Sequence, residues 1–444
     1  MTLARLSYRR QTLGFHAALL VALMGLTAVS ASAATFIVDS TADDDDGVCA
    51  PAPADCTLRE AIDAANALAG TDSIEFDPTI FPLGTPATIH ATIELPALTD
   101  PAGTRVSGIG AGVIIDGTAC GGQDDGLIYH TTTGTALTKV TIEGLTLVNF
   151  PGEGIQICAG DPTTTCDGAL SKIRIEQVVV RHNDGHGLLA DGAPHTGTRV
   201  SESAFIGNGT DGIRLTTNNG GVLSKTTVAD TVASGNGGRG INLNSSGNHL
   251  NSKVDGCTAL ENGSSGINLN ASDLLSSAKV QRNAAHGNDG TGINLAAGDF
   301  DIANARIQDN AASGNGGAGI NLVASSGVTS KAKVSNNTAN DNEGGGIRVD
   351  RPNNSKISQN GAHGNVGDGI GLLDVGAGAK VEKNDASANT GAGIALDSGV
   401  VSSKIQKNTT FGNIGNDLVD ENAACANNTW KKNVFVTAND VCIK

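Results

Sequence analysis

Aromatic residues are scarce in this 444-residue chain, which has one Trp, two Tyr and nine Phe and is 3% aromatic overall. Compact cores depend on large aromatic and aliphatic side chains, so this shortage argues against the two or three globular domains that the length would otherwise suggest. Basic residues are also few, with 29 Lys and Arg against 45 Asp and Glu. The net charge of −16 therefore argues against binding to nucleic acid.

Several sequence motifs are missing as well. The chain has no Gly-x-Ser-x-Gly motif, no phosphate loop and no zinc-finger spacing of Cys and His, which argues against common hydrolase, nucleotide and zinc sites. The run 43–46 of four Asp lacks the spaced ligands of a calcium loop, so we expect a solvated turn there. His182 and His186 lie in a Gly-rich segment, where a loop is expected rather than a metal site.

The first 33 residues are typical of an export signal. Arg5, Arg9 and Arg10 precede an apolar run over residues 17–29, and Ala31-Ser32-Ala33 forms a small-residue cleavage pattern. The flanking residues fit a twin-arginine signal poorly, so an ordinary secretory signal is favoured. No later stretch approaches 18 consecutive apolar residues, so we expect no membrane span. Removing residues 1–33 takes away three Arg and no acid, so the net charge falls from −16 to −19.

All eight cysteines lie after this segment, as expected for an oxidising extracellular or periplasmic compartment. Short loops would be closed by disulfides between Cys49 and Cys56, Cys158 and Cys166, and Cys425 and Cys442. Cys120 and Cys257 remain without an assigned partner.

Glycine is abundant, with 60 residues, and much of it belongs to a repeat. A Gly-Ile or Gly-Leu pair recurs every 23 to 33 residues, and we call its second residue the marker. The markers are Leu127, Ile155, Leu188, Ile213, Ile241, Ile267, Ile293, Ile320, Ile347, Ile370 and Ile394, with Leu418 as a degenerate twelfth.

Other residues keep a constant distance from the marker. Ala recurs eight residues before it and Val or Ile thirteen before it. Asn recurs five residues before it at Asn183, Asn208, Asn236, Asn262, Asn288, Asn315, Asn342, Asn365, Asn389 and Asn413. A second Asn series, ten residues before it, comprises Asn283, Asn310, Asn337, Asn360, Asn384 and Asn408, after Thr231 and Cys257.

Such a pattern is expected when equivalent positions of successive coils stack at about 4.8 Å, with amides bonding from coil to coil and aliphatic side chains piling up inside. The Gly before each marker would allow either positive φ or close packing. Leucine-rich repeats and calcium-binding β-rolls have different spacings. The sequence thus predicts an all-β fold, a single-stranded right-handed parallel β-helix of about 12–14 coils.

The segment from Cys56 through Thr-Leu-Arg-Glu-Ala to Asn66 resembles the signature that opens many secreted bacterial β-helix proteins of the pectate-lyase-like superfamily. The units after it resemble parallel β-helix repeats, and the ending from Cys425 to Cys442 is similar to the closing segment of those proteins. We expect a signal peptide over 1–33, an N-terminal cap and first coils over 34–110, repeats over 111–420 and a C-terminal cap over 421–444. Leu58 to Leu68 would form a helix that covers the first coil.

One basic residue stands directly before the inward Val or Ile in nearly every coil. This basic column comprises Arg174, Arg199, Lys253, Lys279, Arg306, Lys333, Lys356, Lys380 and Lys404, and only Thr227 interrupts it. Alternation along a strand places these side chains outside. They form either a solvated face that keeps the sheet soluble or a track that binds an anionic polysaccharide.

A second outward row follows the markers and comprises Arg214, Asn242, Asn268, Asn294, Asn321 and Arg348. These amides either bind sugars or bond to one another. Sugar sites commonly add aromatic platforms, and this chain offers few.

Enzymes of the resembled superfamily cleave or epimerise uronic-acid polymers with an outward Arg or Lys as base and with Asp residues that neutralise the carboxylate, sometimes through calcium. The resemblance makes one cluster the candidate catalytic site: Arg348, Asp350, Arg351, Asp374 and Asp397. An alternative is that these Asp residues only form turns.

Two functional hypotheses follow. The first is an exported, non-catalytic monomer that binds an anionic polysaccharide or cell-surface glycan, without a cofactor. The second is a polysaccharide lyase or uronan epimerase, for which calcium is a candidate cofactor.

Overall fold

The computed structural model describes residues 33–49, 55–163 and 165–444, and the expected export signal lies outside them except for Ala33. In this part the chain forms a right-handed parallel β-helix of about 13 turns, which confirms the predicted fold. Its strands form four parallel sheets, of 15, 12, 11 and 9 strands.

Each coil passes through the sheets in a fixed order, and we name them by their residues. The basic sheet consists of Thr35–Val38, Ser73–Phe76, Arg105–Ser107, Thr141–Glu143, Arg174–Glu176, Arg199–Ser201, Thr227–Ala229, Lys253–Asp255, Lys279–Gln281, Arg306–Gln308, Lys333–Ser335, Lys356–Ser358, Lys380–Glu382, Lys404–Gln406 and Thr429–Lys431. The alanine sheet consists of Ala87–His90, Val113–Asp116, Leu145–Val148, Val179–Arg181, Ala204–Ile206, Val232–Ser234, Thr258–Leu260, Ala284–His286 and Ala311–Ser313.

The other two sheets complete each coil. The marker sheet consists of Leu127–His130, Ile155–Cys158, Leu188–Asp191, Ile213–Thr216, Ile241–Ser245, Ile267–Ala271, Ile293–Ala297, Ile320–Ala324, Ile347–Asp350, Ile370–Leu373, Ile394–Leu396 and Leu418–Asp420. The short sheet consists of Leu137–Thr138, Leu170–Ser171, His195–Thr196, Leu223–Ser224, His249–Leu250, Leu275–Ser276, Ile302–Ala303, Thr329–Ser330, Pro352–Asn353, Gly376–Ala377 and Val400–Val401.

Every marker begins a strand of the marker sheet, and successive markers pair residue for residue, as Ile267 does with Ile241 and Ile293. The marker side chains are buried, as are the Ala column and the inward Val or Ile column. The core is therefore a set of aliphatic columns parallel to the helix axis.

The two asparagine series form continuous ladders, as predicted. Asn288 Nδ2 donates to Asn315 Oδ1 at 3.0 Å, and its backbone N–H donates to the same oxygen at 3.1 Å. The second series continues one coil further than the sequence alignment indicated, because Asn408 Nδ2 donates to Asn433 Oδ1. Asp417 ends the first ladder by accepting from Asn413. Each amide thus satisfies backbone groups at a turn that water does not reach.

Close packing, rather than positive φ, explains the glycine before each marker. A Cβ at Gly266 would lie 2.7 Å from the Asn288 amide nitrogen and 2.9 Å from the carbonyl oxygen of Gly292. A larger residue would therefore separate neighbouring coils or break the ladder.

Both ends of the helix carry additional structure. Helix α1, Leu58–Ala67, begins with Thr57 and Glu60 in a capping box and packs against the first strands of the basic sheet. At the other end, after the 3₁₀ segment Ala423–Asn427, Trp430 is buried and its indole N–H donates to Asp420 at 2.9 Å. Disulfides join Cys49 to Cys56, Cys158 to Cys166 and Cys425 to Cys442, while Cys120 and Cys257 are free thiols.

Candidate functional site

The basic column is a continuous file in the structure. Arg174 pairs with Arg199, Lys279 with Arg306 and Lys333 with Lys356, and the same register holds along the basic sheet. Two earlier positions stand in the same register. Thr141 pairs with Arg174, and Arg105 pairs with Thr141. The side chains of the column therefore lie about 4.8 Å apart from coil to coil.

Acidic side chains neutralise part of this column. They occupy the next outward position of the same sheet, two residues further along each strand. Glu176 lies 2.6 Å from Arg174, Asp255 lies 2.6 Å from Lys253, and Glu382 contacts both Lys356 at 3.0 Å and Lys380 at 2.9 Å. The hydrogen bond from Lys380 is the main reason that the pKa of Glu382 falls to about 2.

Three consecutive bases of the column have no acidic partner in the described part of the chain, and we call them the central bases. Lys279, Arg306 and Lys333 are exposed, and none of them has an ion pair among the described residues. The next outward position in their strands holds Gln281, Gln308 and Ser335 instead of an acid. Arg199 and Lys404 are unpaired among the described residues as well, but each stands alone, so the central bases form the longest unpaired run of the column.

A groove of about 520 Å³ is lined by two of the central bases, Lys279 and Arg306, and by Lys253. One wall is the basic column, and the other is a file of turn residues with φ between 53° and 58°, namely Lys225, Asn251, Ser277 and Asn304. The N–H of each turn residue donates to the next coil, as Lys225 does to Leu250 and Asn251 to Ser276. Thr227, the residue that interrupts the basic column, also lines the groove, which reaches Arg306.

The outward asparagines of the marker sheet bond to one another. Asn268 donates to Asn242 at 3.0 Å, Asn294 to Asn268 at 2.8 Å and Asn321 to Asn294 at 3.0 Å. Asn242 in turn donates to Asp211 at 2.7 Å. Their amide N–H groups are therefore already used within the protein, which favours the structural interpretation of this row.

The structure divides the candidate catalytic cluster into two ion pairs. Arg348 Nε lies 3.0 Å from Asp350 Oδ1, and Arg351 Nε lies 3.4 Å from Asp374 Oδ2. The Asp374 N–H donates to Asp397 at 3.3 Å. In the next coil, the residue that pairs with Asp350 is Leu373. An apolar residue therefore lies between Asp350 and the coil that carries Asp397. These acids mainly neutralise arginines or bind backbone.

An acidic residue outside that cluster shares a pocket with Arg348. A small pocket of about 230 Å³ is lined by Arg348, Asp368 and Gly371. Burial raises the pKa of Asp368, whose carboxylate accepts from the Ala392 N–H at 2.7 Å. Asp368 stands two residues before a marker, a position that showed no regular residue type in the sequence.

A second group of titratable residues lies at the other end of the amide row. The Asp211 N–H donates to His186 Nδ1 at 3.1 Å, and burial lowers the pKa of His186. Burial also raises the pKa of Asp191 to about 6, and the nearby Arg214 opposes that shift. Asp191 Oδ1 and Arg214 Nε are buried without a hydrogen-bond partner in the described residues. Arg214 and His186 were named separately from the sequence, which gave no sign that they form a group with Asp191, because the three occupy different positions of their coils.

The other candidates from the sequence have structural partners. Asp43 binds Arg59 at 2.8 Å and the Thr92 N–H at 2.7 Å, so its carboxylate is used in folding. His182 adopts a turn conformation with φ of 57°. Across the described ranges, no three His, Cys, Asp or Glu side chains are grouped so as to hold a metal ion. Nor does any described helix have the length and apolar character to cross a membrane.

Aromatic platforms are absent from the groove beside the central bases, judged from the residues that line it. Tyr129 and Trp430 are both buried. Any sugar bound at this groove would therefore contact charged, amide and hydroxyl groups.

Comparisons with known proteins agree with the fold. The family described as "Right handed beta helix region" matches residues 163–332, and the family "Periplasmic copper-binding protein (NosD)" matches residues 300–440. The periplasmic alginate epimerase AlgG is similar in structure, at 13% identity over 84% of each chain with a TM-score of 0.50. The chain is thus a right-handed parallel β-helix protein.

Two other solved structures are similar at lower scores. The A-module of a mannuronan C-5 epimerase from Azotobacter vinelandii is 16% identical, with 86% of this chain and 94% of that chain covered and a TM-score of 0.47. A pectate lyase is 14% identical, with 68% and 79% covered and a TM-score of 0.43. No curated protein matches the sequence significantly. These likenesses describe the fold and carry no residue-level argument about activity.

Proposed function

We propose that this chain is an exported, non-catalytic protein that binds an acidic polysaccharide through its basic column. The observation that carries the proposal is the register of the basic sheet, which stacks one basic side chain per coil from Lys253 to Lys404. A polyanion that lies along the helix axis meets a new cation at each coil. Because the whole chain carries a net charge of −16, the column is a local positive feature on an acidic molecule.

Export is part of the same proposal. The signal-like segment over 1–33 supports it, as do three disulfides, which persist in oxidising compartments. The matched NosD family is described as periplasmic. No role is assigned to the copper named in that description, since no three metal-binding His, Cys, Asp or Glu side chains are grouped among the described residues.

The test measures binding to pectate, alginate and a glycosaminoglycan at increasing salt. We expect binding that weakens steeply with salt and that falls when Lys279, Lys333 and Lys380 are replaced by Gln, because exposed charge interactions are screened. The matched control replaces Lys383, Lys407 and Lys432 by Gln. These lysines are exposed turn residues that directly follow strands of the basic sheet. Equal affinity of wild type and the first variant for every polymer would reject the proposal.

A second candidate function is a polysaccharide lyase or uronan epimerase. The specific observation that favours it is the group around Arg214, where Asp191 has a pKa of about 6 and an unpartnered oxygen. Groups with shifted pKa values beside a cation are common in catalytic sites. Calcium would be a cofactor only for this activity.

The enzyme hypothesis has a separate experiment. Purified protein is incubated with each polymer, with and without calcium, and products are followed by ultraviolet absorbance of unsaturated uronides and by NMR. If products form, Arg214→Ala with Asp191→Asn tests the first group, and Arg348→Ala with Asp350→Ala tests the second. No product from any polymer would discard the enzyme hypothesis and leave the binding proposal standing.

A further inference from the structure

We infer that the acidic polysaccharide is held in the central groove, as an extended segment of about four charged sugars parallel to the helix axis, and not along the entire basic column. This inference rests on the proposed function and restricts it to one place. The groove extends from Thr227 to Arg306, with Lys333 one coil beyond.

The distribution of acids supports the central position. A base that already contacts a carboxylate must lose that contact before it binds another, as holds for Lys356 and Lys380 with Glu382. Lys279, Arg306 and Lys333 have no such competitor among the described residues. Arg199 and Lys404 also lack an ion pair among the described residues, but each stands alone, so only the central bases offer a polyanion three successive unpaired cations.

The second wall supports a sugar ligand. Lys225 adds a cation at one end of this wall, while Asn251, Ser277 and Asn304 add amide and hydroxyl groups along it. Amides and hydroxyls can bond to sugar hydroxyls while the basic column binds the carboxylates. Single-stranded nucleic acid is disfavoured, because such sites stack bases on aromatic side chains and none lines this groove.

Geometry sets the direction and the length of the ligand. The four strands that begin at Thr227, Lys253, Lys279 and Arg306 span about 15 Å at the usual spacing of strands. An extended pyranose residue advances a polysaccharide by nearly one coil, so successive carboxylates can meet successive bases. Thr227 leaves space at the end of the groove where a longer base would project.

The experiment uses the full exported chain and oligogalacturonates of two to eight residues, measured by calorimetry at low salt. We expect affinity to rise with length up to four or five residues and then to level off. A rise that continues to eight residues would overturn the inference, because it would indicate contacts along the whole column.

Two pairs of variants locate the ligand. Thr227→Glu places a carboxylate in the groove and should weaken binding at least 10-fold, whereas Thr141→Glu occupies the equivalent position outside it and should change affinity less than twofold. Replacement of Lys279, Arg306 and Lys333 by Gln should weaken binding at least 10-fold, against less than threefold for Arg174, Lys356 and Lys380. Thermal unfolding of each variant checks that it is folded.

The outcomes separate this inference from the proposed function. Equal losses in the central and flanking variants would overturn the groove and leave binding along the column. No binding of any oligogalacturonate or polymer by wild type would reject both. Tighter binding of a single-stranded oligodeoxynucleotide with the same number of charges would overturn the assignment to a polysaccharide.

Discussion

The coils that carry the central bases and the coils that flank them share one backbone and one interior, yet their outer surfaces differ. In the flanking coils the bases at Arg174, Lys356 and Lys380 face Glu176 or Glu382. In the central coils the same outward position holds an amide or a hydroxyl. A β-helix keeps its inward residues nearly constant because they stack, whereas each outward residue can change without disturbing the coil. A binding region can therefore be confined to a few coils of a regular rod.

The largest expected effect concerns the interior of the coils that precede the central bases. In the short sheet, His195 and His249 occupy the inward position that Leu223 and Leu275 occupy in neighbouring coils. Burial lowers the pKa of both histidines to about 4. Because the unfolded chain binds protons near pH 6.5, stability is complete above that pH and is lost as the pH falls towards 4, by about 3 kcal/mol for each histidine.

The check is chemical denaturation of wild type and of the His195→Leu/His249→Leu variant between pH 7 and 4. The variant should lose most of this pH dependence, although loss of the bonds to Thr198 and Ser252 lowers its stability at pH 7. Identical slopes for the two proteins would contradict the assignment.

The next effect compares the middle of an asparagine ladder with its end. Asn315→Ala removes an acceptor that serves both the backbone and the side chain of Asn288, and it leaves a small cavity. We expect a loss of about 3 kcal/mol in the free energy of unfolding. Asn413→Ala removes similar bonds where water can replace them, so a loss of about 1 kcal/mol is expected. Equal losses measured by urea denaturation would show that burial does not set the cost.

A smaller effect is expected when acidic residues are placed beside the central bases, as they are beside the bases of the flanking coils. Replacing Gln281, Gln308 and Ser335 by Glu gives each central base a carboxylate partner. Polysaccharide binding should fall about 10-fold, equivalent to about 1.4 kcal/mol, while unfolding changes by less than about 1 kcal/mol because surface ion pairs contribute little. Calorimetry and thermal denaturation measure the two quantities, and unchanged affinity would argue against competition by acids.

The smallest effect is expected from the converse change, in which an acidic partner is removed from the flanking bases. Glu382→Gln frees Lys356 and Lys380 and should extend the uncompensated stretch, increasing affinity for long polymers about threefold but not for tetrasaccharides. Acidification to pH 4 cannot replace this substitution, because the pKa of Glu382 is about 2. The comparison of long and short ligands is the measurement, and equal gains for both would place the two lysines inside the central site.

Prediction from the sequence succeeded where a residue must match its equivalents in the neighbouring coils. Asn288 and Asn315 keep their spacing from the markers because each completes the hydrogen bonds of the other. The relation between Lys356 and Glu382 could not be predicted in the same way, since they lie in adjacent coils at different positions of the strand. The proximity of Arg214 to Asp191 was missed for the same reason, since the two residues stand at different positions of adjacent strands.

What the sequence by itself determined is the winding of the chain, because stacked positions select the same amide or aliphatic residue every two dozen or so residues. What only the tertiary structure decided is which outward charges meet. Those contacts depend on side chains that reach diagonally between coils and on turns of unequal length. Neither feature produces a periodic pattern in the sequence. The basic column was therefore visible in the sequence, but which of its bases are paired with acids was not.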